Sequence, residues 1–145
     1  MLLPPEKQKE IIDAYFKGDG YSGKAPLGRH YYFRANTLSV ALAVQMQELL
    51  ARQGIFASLY WKKTKPHAYK GRIIKPSGDQ VFIGFQPEKE FSSVQKTKHG
   101  FLVPVKRINK IPYKGVVHNL ETVNDPHSYL VKGFVVHNCG SKTPH

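Results

Sequence analysis

The sequence is a basic chain whose length suits one ordinary domain or two small units. It has 145 residues, with 22 Lys and Arg against 10 Asp and Glu, and a formal net charge of +12. This charge favours an anionic partner, such as nucleic acid or an acidic protein, although a merely soluble basic protein is about equally compatible with it. No apolar run approaches the roughly 20 residues that cross a membrane, and Pro4-Pro5 breaks up the apolar start, so we expect neither a membrane span nor a secretory signal.

The chain contains one cysteine, Cys139, which excludes a disulfide within the chain. A single cysteine is most often a buried small hydrophobic residue, but its position directly after His137-Asn138 argues against that here. A thiol that reacts as a thiolate is best kept in a reducing compartment. We therefore expect an intracellular protein.

The first predicted element is a helix that begins at Pro4-Pro5-Glu6 and runs to about Lys17. Proline in the first turn and an acidic residue near the helix N-terminus both favour this start. The helix leads into residues 12–20, Ile-Asp-Ala-Tyr-Phe-Lys-Gly-Asp-Gly. These nine residues resemble the LAGLIDADG motif of homing endonucleases, many of which lie inside inteins.

The resemblance implies that two such helices pack side by side and that Asp19, the last acidic residue of the motif, binds a divalent metal over the scissile phosphates. Carboxylate oxygens suit Mg²⁺, which stabilises charge on the attacked phosphate. The motif is degenerate, because Asp13 stands where the family has a small residue and Lys17 replaces an acidic one. Apart from the resemblance, Gly-Asp-Gly after a helix also describes an ordinary C-cap and turn.

A loop at 21–27, containing Gly, Ser and Pro, is predicted next, followed by a strand and a second helix. Aromatic residues predict the strand at 30–34, and Asn36 or Thr37 is the expected N-cap of a helix at 38–52. One face of this helix is apolar and is expected to be core. Its members are Leu38, Leu42, Met46 and Leu49.

Two further strands follow, at 55–61 and 81–85, where apolar residues alternate along the chain. They are expected to pair as a long hairpin. The resulting helix-strand-strand-helix-strand-strand order resembles half of a LAGLIDADG endonuclease, whose saddle-shaped sheet lies on the DNA major groove.

Positive charges are concentrated between these last two strands, at 62–75, where no acidic residue occurs. Contacts to a DNA backbone need such a cluster, and binding through it weakens steeply with salt. A solvated hairpin tip explains the charge pattern equally well, and only the neighbouring motif favours double-stranded DNA as a partner. The candidate DNA-binding residues are Arg34, Lys62, Lys63, Lys65, Lys70, Arg72 and Lys75.

From residue 101 onwards the predicted elements are strands alone, after a polar connection at 87–100. The predicted strands are 101–105, 106–112, 113–123 and 128–136, with turns at 124–126 and 132–133. So short a stretch of strands cannot bury enough surface to fold by itself. We therefore expect this part to need a complement.

The sequence His137-Asn138-Cys139 suits a self-cleaving peptide bond. An asparagine carboxamide can attack its own backbone carbonyl, which closes a succinimide and breaks the bond to the next residue. The reaction is slow unless the carbonyl is polarised and the departing amine is protonated, and an imidazole such as His137 or His127 suits this acid-base work. Cys139 adds a thiol that can accept an acyl group by thioester exchange.

Residues 101–139 resemble the C-terminal splicing region of an intein. The resemblance depends on a long block of residues with a histidine and a glycine at the expected positions, followed by Val-Val-His-Asn-Cys. It implies that Asn138 cyclises, that Cys139 is the acceptor nucleophile and the first host residue, and that His137 and His127 assist at the same bond. Taken singly, each histidine would more commonly be a hydrogen-bonded structural residue.

Asn119 stands where the intein family often has an aspartate that helps control the acyl transfers. An amide cannot take up or release a proton at neutral pH, so only hydrogen bonding is expected from Asn119.

The expected organisation is an α+β chain with three parts. Residues 1–98 form a LAGLIDADG-type half domain (αββαββ), 99–138 form the all-β C-terminal part of a Hint or intein splicing domain, and 139–145 belong to the host. An intein begins with a Cys or Ser nucleophile and a later Thr-x-x-His block, whereas this chain opens with Met1, its only cysteine is Cys139, and the endonuclease resemblance begins directly. We therefore expect a C-terminal fragment that splices in trans with a complementary N-terminal fragment, by single-turnover autocatalysis and without a cofactor.

Two alternatives stay open. The chain could be a DNA-binding or DNA-cleaving LAGLIDADG module with vestigial splicing, in which case cleavage would need Mg²⁺ and a second LAGLIDADG helix. It could also be a truncated piece of a contiguous intein.

Overall fold

The computed structural model describes residues 3–24, 31–87, 93–118, 120, 122, 127–131 and 133–137. Over these residues the chain has mixed α and β structure, with two helices and several small antiparallel sheets. This confirms the α+β class at that level. The chain divides into two compact units, Met1–Pro104 and Val105–His145.

The first unit contains both described helices and most of the described strands. In chain order its elements are α1 Pro5–Asp19, β1 Gly20–Lys24, β2 Tyr31–Thr37, α2 Val40–Arg52, β3 Ala57–Lys62, β4 His67–Tyr69, β5 Arg72–Ile74, β6 Gln80–Phe85, β7 Gln95–Thr97 and β8 Gly100–Leu102. Both predicted helices and the strands predicted at 30–34, 55–61 and 81–85 are confirmed over the described residues, whereas the loop predicted at 21–27 is wrong at residues 21–24, which belong to β1. β4 and β5 form an additional hairpin between β3 and β6. Neither described helix combines the length and the hydropathy that a membrane crossing requires.

Helix α1 ends at Asp19, slightly later than predicted, and passes directly into a strand. Gly20 is not a left-handed cap, because its backbone is extended, with φ −88° and ψ 158°, and it begins β1. The C-cap and turn expected here as an alternative is therefore wrong. A Cβ atom on Gly20 would overlap the carbonyl oxygen of Phe16, so the close junction of helix and strand requires glycine.

Helix α2 is capped by Ser39, and the prediction of Asn36 or Thr37 as the cap is wrong. The Ser39 hydroxyl oxygen accepts a hydrogen bond from the Leu42 backbone N–H at 3.2 Å. Asn36 and Thr37 belong to β2, because their backbones pair with β6. Leu38 precedes the helix and is 51% exposed, so its assignment to the apolar helix face is also wrong.

A four-stranded antiparallel sheet with strand order β1-β2-β6-β3 is the centre of the first unit. β3 pairs with β6 from Ala57↔Phe85 to Lys62↔Gln80, which confirms the predicted pairing of these strands. Side chains alternate across the sheet, so one face packs against the helices and the other, which we call the outer face, points away from them. The core lies on the helix side and consists of Ile12, Ala43, Met46, Leu49, Leu50, Ala57, Val81, Ile83 and Phe85.

The hairpin of β7 and β8 also belongs to the first unit. The ring of Phe101 in β8 packs against Phe56, with centroids 5.5 Å apart. The Lys96 ammonium group donates a hydrogen bond to the Gly54 carbonyl oxygen at 2.9 Å. These contacts attach the hairpin to the segment that joins α2 to β3.

The second unit contains one hairpin among its described residues, formed by β9 (Ser128–Val131) and β10 (Phe134–His137). Gly133 lies between the strands with φ +82°, in the left-handed region that favours glycine. This agrees with the turn predicted at that point. The turn predicted at 124–126 lies outside the described residues.

The predicted strands at 106–112 and 113–123 are wrong over the part that the structure describes, because residues 103–118 form no strand. Ile108 is 82% exposed and Val117 is 78% exposed. β-Branched residues favour strands where they fit a paired and half-buried surface, and the described residues supply no such surface here.

Replacing Gly20 by alanine should destabilise the first unit by about 1–3 kcal/mol, because the new methyl group overlaps the Phe16 carbonyl oxygen. Gly18→Ala is the matched control, since a Cβ atom on Gly18 meets no atom within 4 Å and alanine is the better helix former by up to about 1 kcal/mol. Urea unfolding followed by circular dichroism measures both variants. Equal stability of the two variants would contradict the close contact between Gly20 and the Phe16 carbonyl oxygen.

Candidate functional site

The β9–β10 hairpin brings the two predicted catalytic histidines close in space. His137 is the last residue of β10 and pairs with Ser128, the first residue of β9. His127 directly precedes Ser128, so it neighbours the cross-strand partner of His137. Antiparallel pairing therefore places both residues at one end of the hairpin, the end from which the chain continues to Asn138.

Three predicted site residues, Asn119, Asn138 and Cys139, lie outside the described residues. Their roles stay predictions of the sequence.

A hydrogen bond determines the protonation pattern of the His127 ring. Its Nδ1 atom lies 2.8 Å from the carbonyl oxygen of Thr122. Because a carbonyl oxygen can only accept, Nδ1 carries the proton in the neutral ring and Nε2 carries the lone pair. The residue is exposed, so the ring is accessible from solvent.

The backbone of His127 is in the left-handed region, with φ +53°. Residues other than glycine adopt this conformation uncommonly, and those that do are frequent at functional sites. The bend lies immediately before β9, and together with the bond to Thr122 it defines the direction of the imidazole.

The hairpin also exposes large apolar side chains on both strands. Leu130 is 69% exposed, Phe134 68% and Val135 73%. Leu130 and Val135 are cross-strand partners, and exposed apolar side chains on a two-stranded hairpin favour an interaction with a covering element. No described residue of the second unit is buried, so a core of its own does not stabilise the described part of this unit.

Asp19, the predicted metal ligand, is the exposed last residue of α1. A carboxylate at the negative end of a helix dipole is disfavoured by about 0.3–1 kcal/mol. Mg²⁺ needs several oxygen ligands. Within the described ranges no group of three or more His, Cys, Asp or Glu side chains is arranged to hold a metal ion. Asp19 alone does not fit Mg²⁺, and a second carboxylate from another helix would be required.

The charge of Asp19 acts on Tyr15, whose buried hydroxyl group has no hydrogen-bond partner in the described part of the chain. Burial, and then the negative charge of Asp19, raises the pKa of Tyr15 above its ordinary value. Because the pKa of Tyr15 is higher in the folded state than in the unfolded state, its contribution to folding stability is fully present below the unfolded-state pKa. That contribution is lost as the pH rises through the folded-state pKa.

The predicted DNA-binding residues fall into two groups. Arg34 lies on the outer face, where its guanidinium carbon is 5.5 Å from the ring centroid of Tyr32 and 5.8 Å from that of Tyr60. The other residues lie in or beside the β4–β5 hairpin, and all of them are exposed. This second group is Lys62, Lys63, Lys65, Lys70, Arg72 and Lys75.

Three of these lysines line one cavity. It has a volume of about 530 Å³, and its lining includes Lys62, Lys63 and Lys65 together with the apolar Leu38 and Ile74. Three lysines around one cavity favour an anion such as a phosphate group at this position.

The sequence-based interpretation missed an aromatic surface on the outer face. Each of the four strands of the sheet contributes one ring to this surface. The residues are Tyr21, Tyr32, Tyr60 and Phe82. The rings of Tyr60 and Phe82 are stacked, with centroids 4.7 Å apart and an interplanar angle of 8°. These residues alternate with core residues along their strands, and that alternation was the available signal. Only the register between strands shows that the rings meet.

No family model and no solved structure matches the chain significantly. Curated relatives do match it. An iron–sulfur cluster assembly SufBD family protein of Mycobacterium tuberculosis, and one of Mycobacterium bovis, are 31% identical over 144 residues, covering 90% of the chain and 15% of the relative. The ATP-dependent DNA helicase Hel308 of Thermococcus kodakarensis is 31% identical over an alignment of 157 residues, covering 94% of the chain and 14% of the helicase. The chain therefore spans about a seventh of the length of these relatives.

Replacing Tyr15 by phenylalanine should raise stability at neutral pH by up to about 1 kcal/mol, because it removes a buried unpaired hydroxyl group. It should also reduce the loss of stability above about pH 10, where the tyrosine otherwise ionises. Urea unfolding across this pH range measures both effects. Tyr69→Phe is the control, since Tyr69 is 57% exposed and should change neither quantity. A less stable Tyr15→Phe variant at neutral pH would mean that the hydroxyl group has a partner.

Proposed function

We propose that this chain carries out the C-terminal steps of protein splicing together with a complementary N-terminal intein fragment. The single observation that carries the proposal is the β9–β10 register. It pairs His137 with Ser128, and so brings His127 close to His137, the residue directly before Asn138. The all-β Hint-type splicing fold is part of this proposal.

In the proposed reaction, the carboxamide nitrogen of Asn138 bonds to the carbonyl carbon of the same residue. The peptide bond to Cys139 breaks, and a proton reaches the departing amino group, leaving a succinimide. His127, with its Nδ1 proton engaged by the Thr122 carbonyl, uses Nε2 to accept a proton. His137 supplies the proton that the departing amine takes up.

Cys139 acts before and after this cleavage. Its thiolate first attacks the thioester formed at the first residue of the N-terminal fragment, which moves the upstream host segment onto the Cys139 sulfur. Once cyclisation of Asn138 has freed the Cys139 amino group, that amine takes the acyl group from sulfur. A normal peptide bond remains, and no cofactor or energy source is required.

The apolar surface of the second unit supports the need for a partner fragment. Leu130, Phe134 and Val135 are each more than two-thirds exposed. A two-stranded hairpin is marginally stable in water unless another element covers it. The complementary fragment is the proposed cover, supplied either by a separate chain or by an upstream part of the same polypeptide.

The relatives favour the interpretation that the chain is an inserted element, and not a catalytic part of either relative. The same chain matches about a seventh of an iron–sulfur cluster assembly SufBD family protein and about a seventh of an ATP-dependent DNA helicase. Those names describe unrelated activities, so a shared segment is more simply explained by an element carried by both. The single cysteine of the chain also offers little to an iron–sulfur cluster, which is usually held by several thiolates.

Mixing the full chain with a fragment that carries the N-terminal intein blocks should release a succinimide-terminated product and a ligated host product. Asn138→Ala should abolish release at the C-terminal junction, and Cys139→Ala should abolish ligation. His127→Gln and His137→Gln should each slow cleavage by about 10²- to 10⁴-fold. Mass spectrometry of the mixture under reducing, neutral conditions measures all of these.

His99→Gln is the matched control for the histidine variants, because His99 lies in the exposed turn between β7 and β8 and should leave the rate unchanged. An intact junction in the unmodified mixture would refute the splicing proposal. Equal rates for His99→Gln and His127→Gln would refute the role of His127.

A second candidate function is binding of double-stranded DNA by the first unit. The order β1-β2-β6-β3, with α1 and α2 packed on one face, supports a LAGLIDADG-type half domain. The β4–β5 hairpin and its flanks supply six exposed cations for phosphate groups. DNA cleavage with Mg²⁺ belongs to this candidate only if a second LAGLIDADG helix brings a carboxylate opposite Asp19. The isolated chain is therefore expected not to nick a supercoiled plasmid.

The double variant Lys70→Ala/Arg72→Ala should weaken duplex binding for all sequences alike. It should also lower the slope of log Kd against log salt by about 0.9 for each phosphate group that the protein no longer neutralises. Fluorescence anisotropy with a labelled duplex at several salt concentrations measures the slope. Lys7→Ala is the control, because Lys7 lies on α1 in an exposed ion pair with Glu10 at 3.0 Å. An unchanged slope in the double variant would exclude the hairpin from the DNA interface.

A further inference from the structure

A cavity lies between α1 and the helix side of the four-stranded sheet, and we call it the helix-side cavity. Its volume is about 510 Å³. All of its described lining residues belong to the first unit, and none of them lines the lysine-rich cavity beside the β4–β5 hairpin. The apolar part of its lining is Ile12, Phe16, Phe33, Ile55 and Phe85.

Small residues on the edge strand β1 leave this space unfilled. Ser22 lies on the helix side of the sheet, because its partner Phe33 in β2 packs against the core. Gly20, two residues earlier, lies on the same side. It cannot be replaced by a larger residue without overlap, because a Cβ atom would meet the Phe16 carbonyl oxygen. Helix α1 therefore packs over β1 with no bulky side chain beneath it, whereas protein interiors seldom leave voids larger than a water molecule.

Three phenylalanine rings form the inner wall of the helix-side cavity. The rings of Phe33 and Phe85 are stacked, with centroids 5.1 Å apart and an interplanar angle of 12°. The ring of Phe16 meets Phe85 edge-on, with centroids 5.0 Å apart. A water cluster needs several polar partners, which these rings do not offer. A cavity of this size with a mainly aromatic wall instead suits a small ligand that itself contains aromatic rings.

The rim of the cavity is positively charged. Lys9, Asp13 and Lys17 follow one another at intervals of four residues along one face of α1, and all three belong to the lining. The Lys9 ammonium group lies 2.6 Å from the Asp13 carboxylate, so these two charges largely cancel. Lys17 forms no ion pair with another described residue. One uncompensated cation therefore favours a ligand with a single negative charge.

We propose that the helix-side cavity binds a small aromatic carboxylate. The ring system of the ligand packs against the three phenylalanine rings, and its carboxylate group lies beside Lys17 at the rim. Burial of the rings supplies most of the affinity, and the cation selects an acid over a neutral analogue. The proposal goes beyond splicing and duplex binding, because the cavity includes neither the β9–β10 hairpin nor the β4–β5 hairpin.

The helix-side cavity also touches the segment to which the β7–β8 hairpin is attached. Gln53 and Ile55 belong to its lining, and they flank Gly54, whose carbonyl oxygen accepts the hydrogen bond from Lys96. A ligand that packs against Ile55 stabilises this segment together with the rest of the first unit. Binding should therefore raise the urea midpoint of unfolding.

The test is isothermal titration calorimetry of the full chain with naphthoate, and with naphthamide as the uncharged analogue of the same size. Naphthoate should bind with a Kd of about 1 mM or below. Lys17→Gln should weaken naphthoate binding about two- to fivefold, which is the effect of one exposed ion pair, and should leave naphthamide binding unchanged. Lys7→Gln is the matched control, because Lys7 is also an exposed lysine of α1 but does not line the cavity.

A second pair of variants tests the cavity itself. Ser22→Leu places a larger apolar side chain in the cavity and should weaken binding of both probes about tenfold or more, because the ring system can no longer be buried. Ser58→Leu is the matched control, since Ser58 is likewise an exposed serine of an edge strand but lies on the outer face. Urea unfolding should show a higher midpoint with naphthoate for the unmodified protein and no such shift for Ser22→Leu.

The possible outcomes either support or overturn the proposal. Tight binding of naphthoate that depends on both Ser22 and Lys17 supports it. Absence of binding to the unmodified protein, combined with a more stable Ser22→Leu variant, would mean that the cavity is only loosely packed core. A dimer in sedimentation that Ser22→Leu dissociates would assign the cavity to a second copy of the chain. Equal affinities for naphthoate and naphthamide would overturn the assignment of a carboxylate.

Discussion

The packing of β6 against the helices decides which side chains the first unit presents to a partner. Val81 and Ile83 are buried in the core, so Phe82 between them must point to the outer face. The pairings of β2 and β3 with β6 extend the same alternation to Arg34 and Tyr60. A shift of one residue in this register would expose the core and bury the cation. The stability of the fold and the identity of the side chains on the outer face therefore depend on the same contacts.

The second unit obeys a different constraint, since none of its described residues is buried. The hairpin register brings His127 and His137 together, and the Thr122 carbonyl defines the imidazole tautomer. An apolar hairpin without a core gains stability from whatever covers it. A partner that supplies this cover would order the histidines at the same time. Under the splicing proposal, assembly and catalysis are thus coupled, which keeps the Asn138 bond intact until the complement has bound.

The two proposals assign different chemistry to the two units. The splicing proposal requires a nucleophilic amide, a thiol and acid-base groups, all within a short stretch at one end of a hairpin. Binding of duplex DNA requires spread-out positive charge, which the β4–β5 hairpin and its flanks in the first unit offer. The segment that the chain matches makes up about a seventh of each of the two relatives. Under the proposal of an inserted element, both functions would serve the element and not its host.

The sequence by itself determined both helices, the pairing of β3 with β6, the turn at Gly133 and the chemical type of the C-terminal motif. These features depend on local propensity, short-range alternation or adjacent residues. Only the tertiary structure decided that Asn36 is in a strand and not a cap, and that Tyr60 joins an aromatic row, because both follow from pairing between distant strands. It also decided the tautomer of His127, since the hydrogen bond between Nδ1 and the carbonyl of Thr122 is visible only in the structure. Local patterns specify single elements, whereas register and long-range contacts specify which side chains meet.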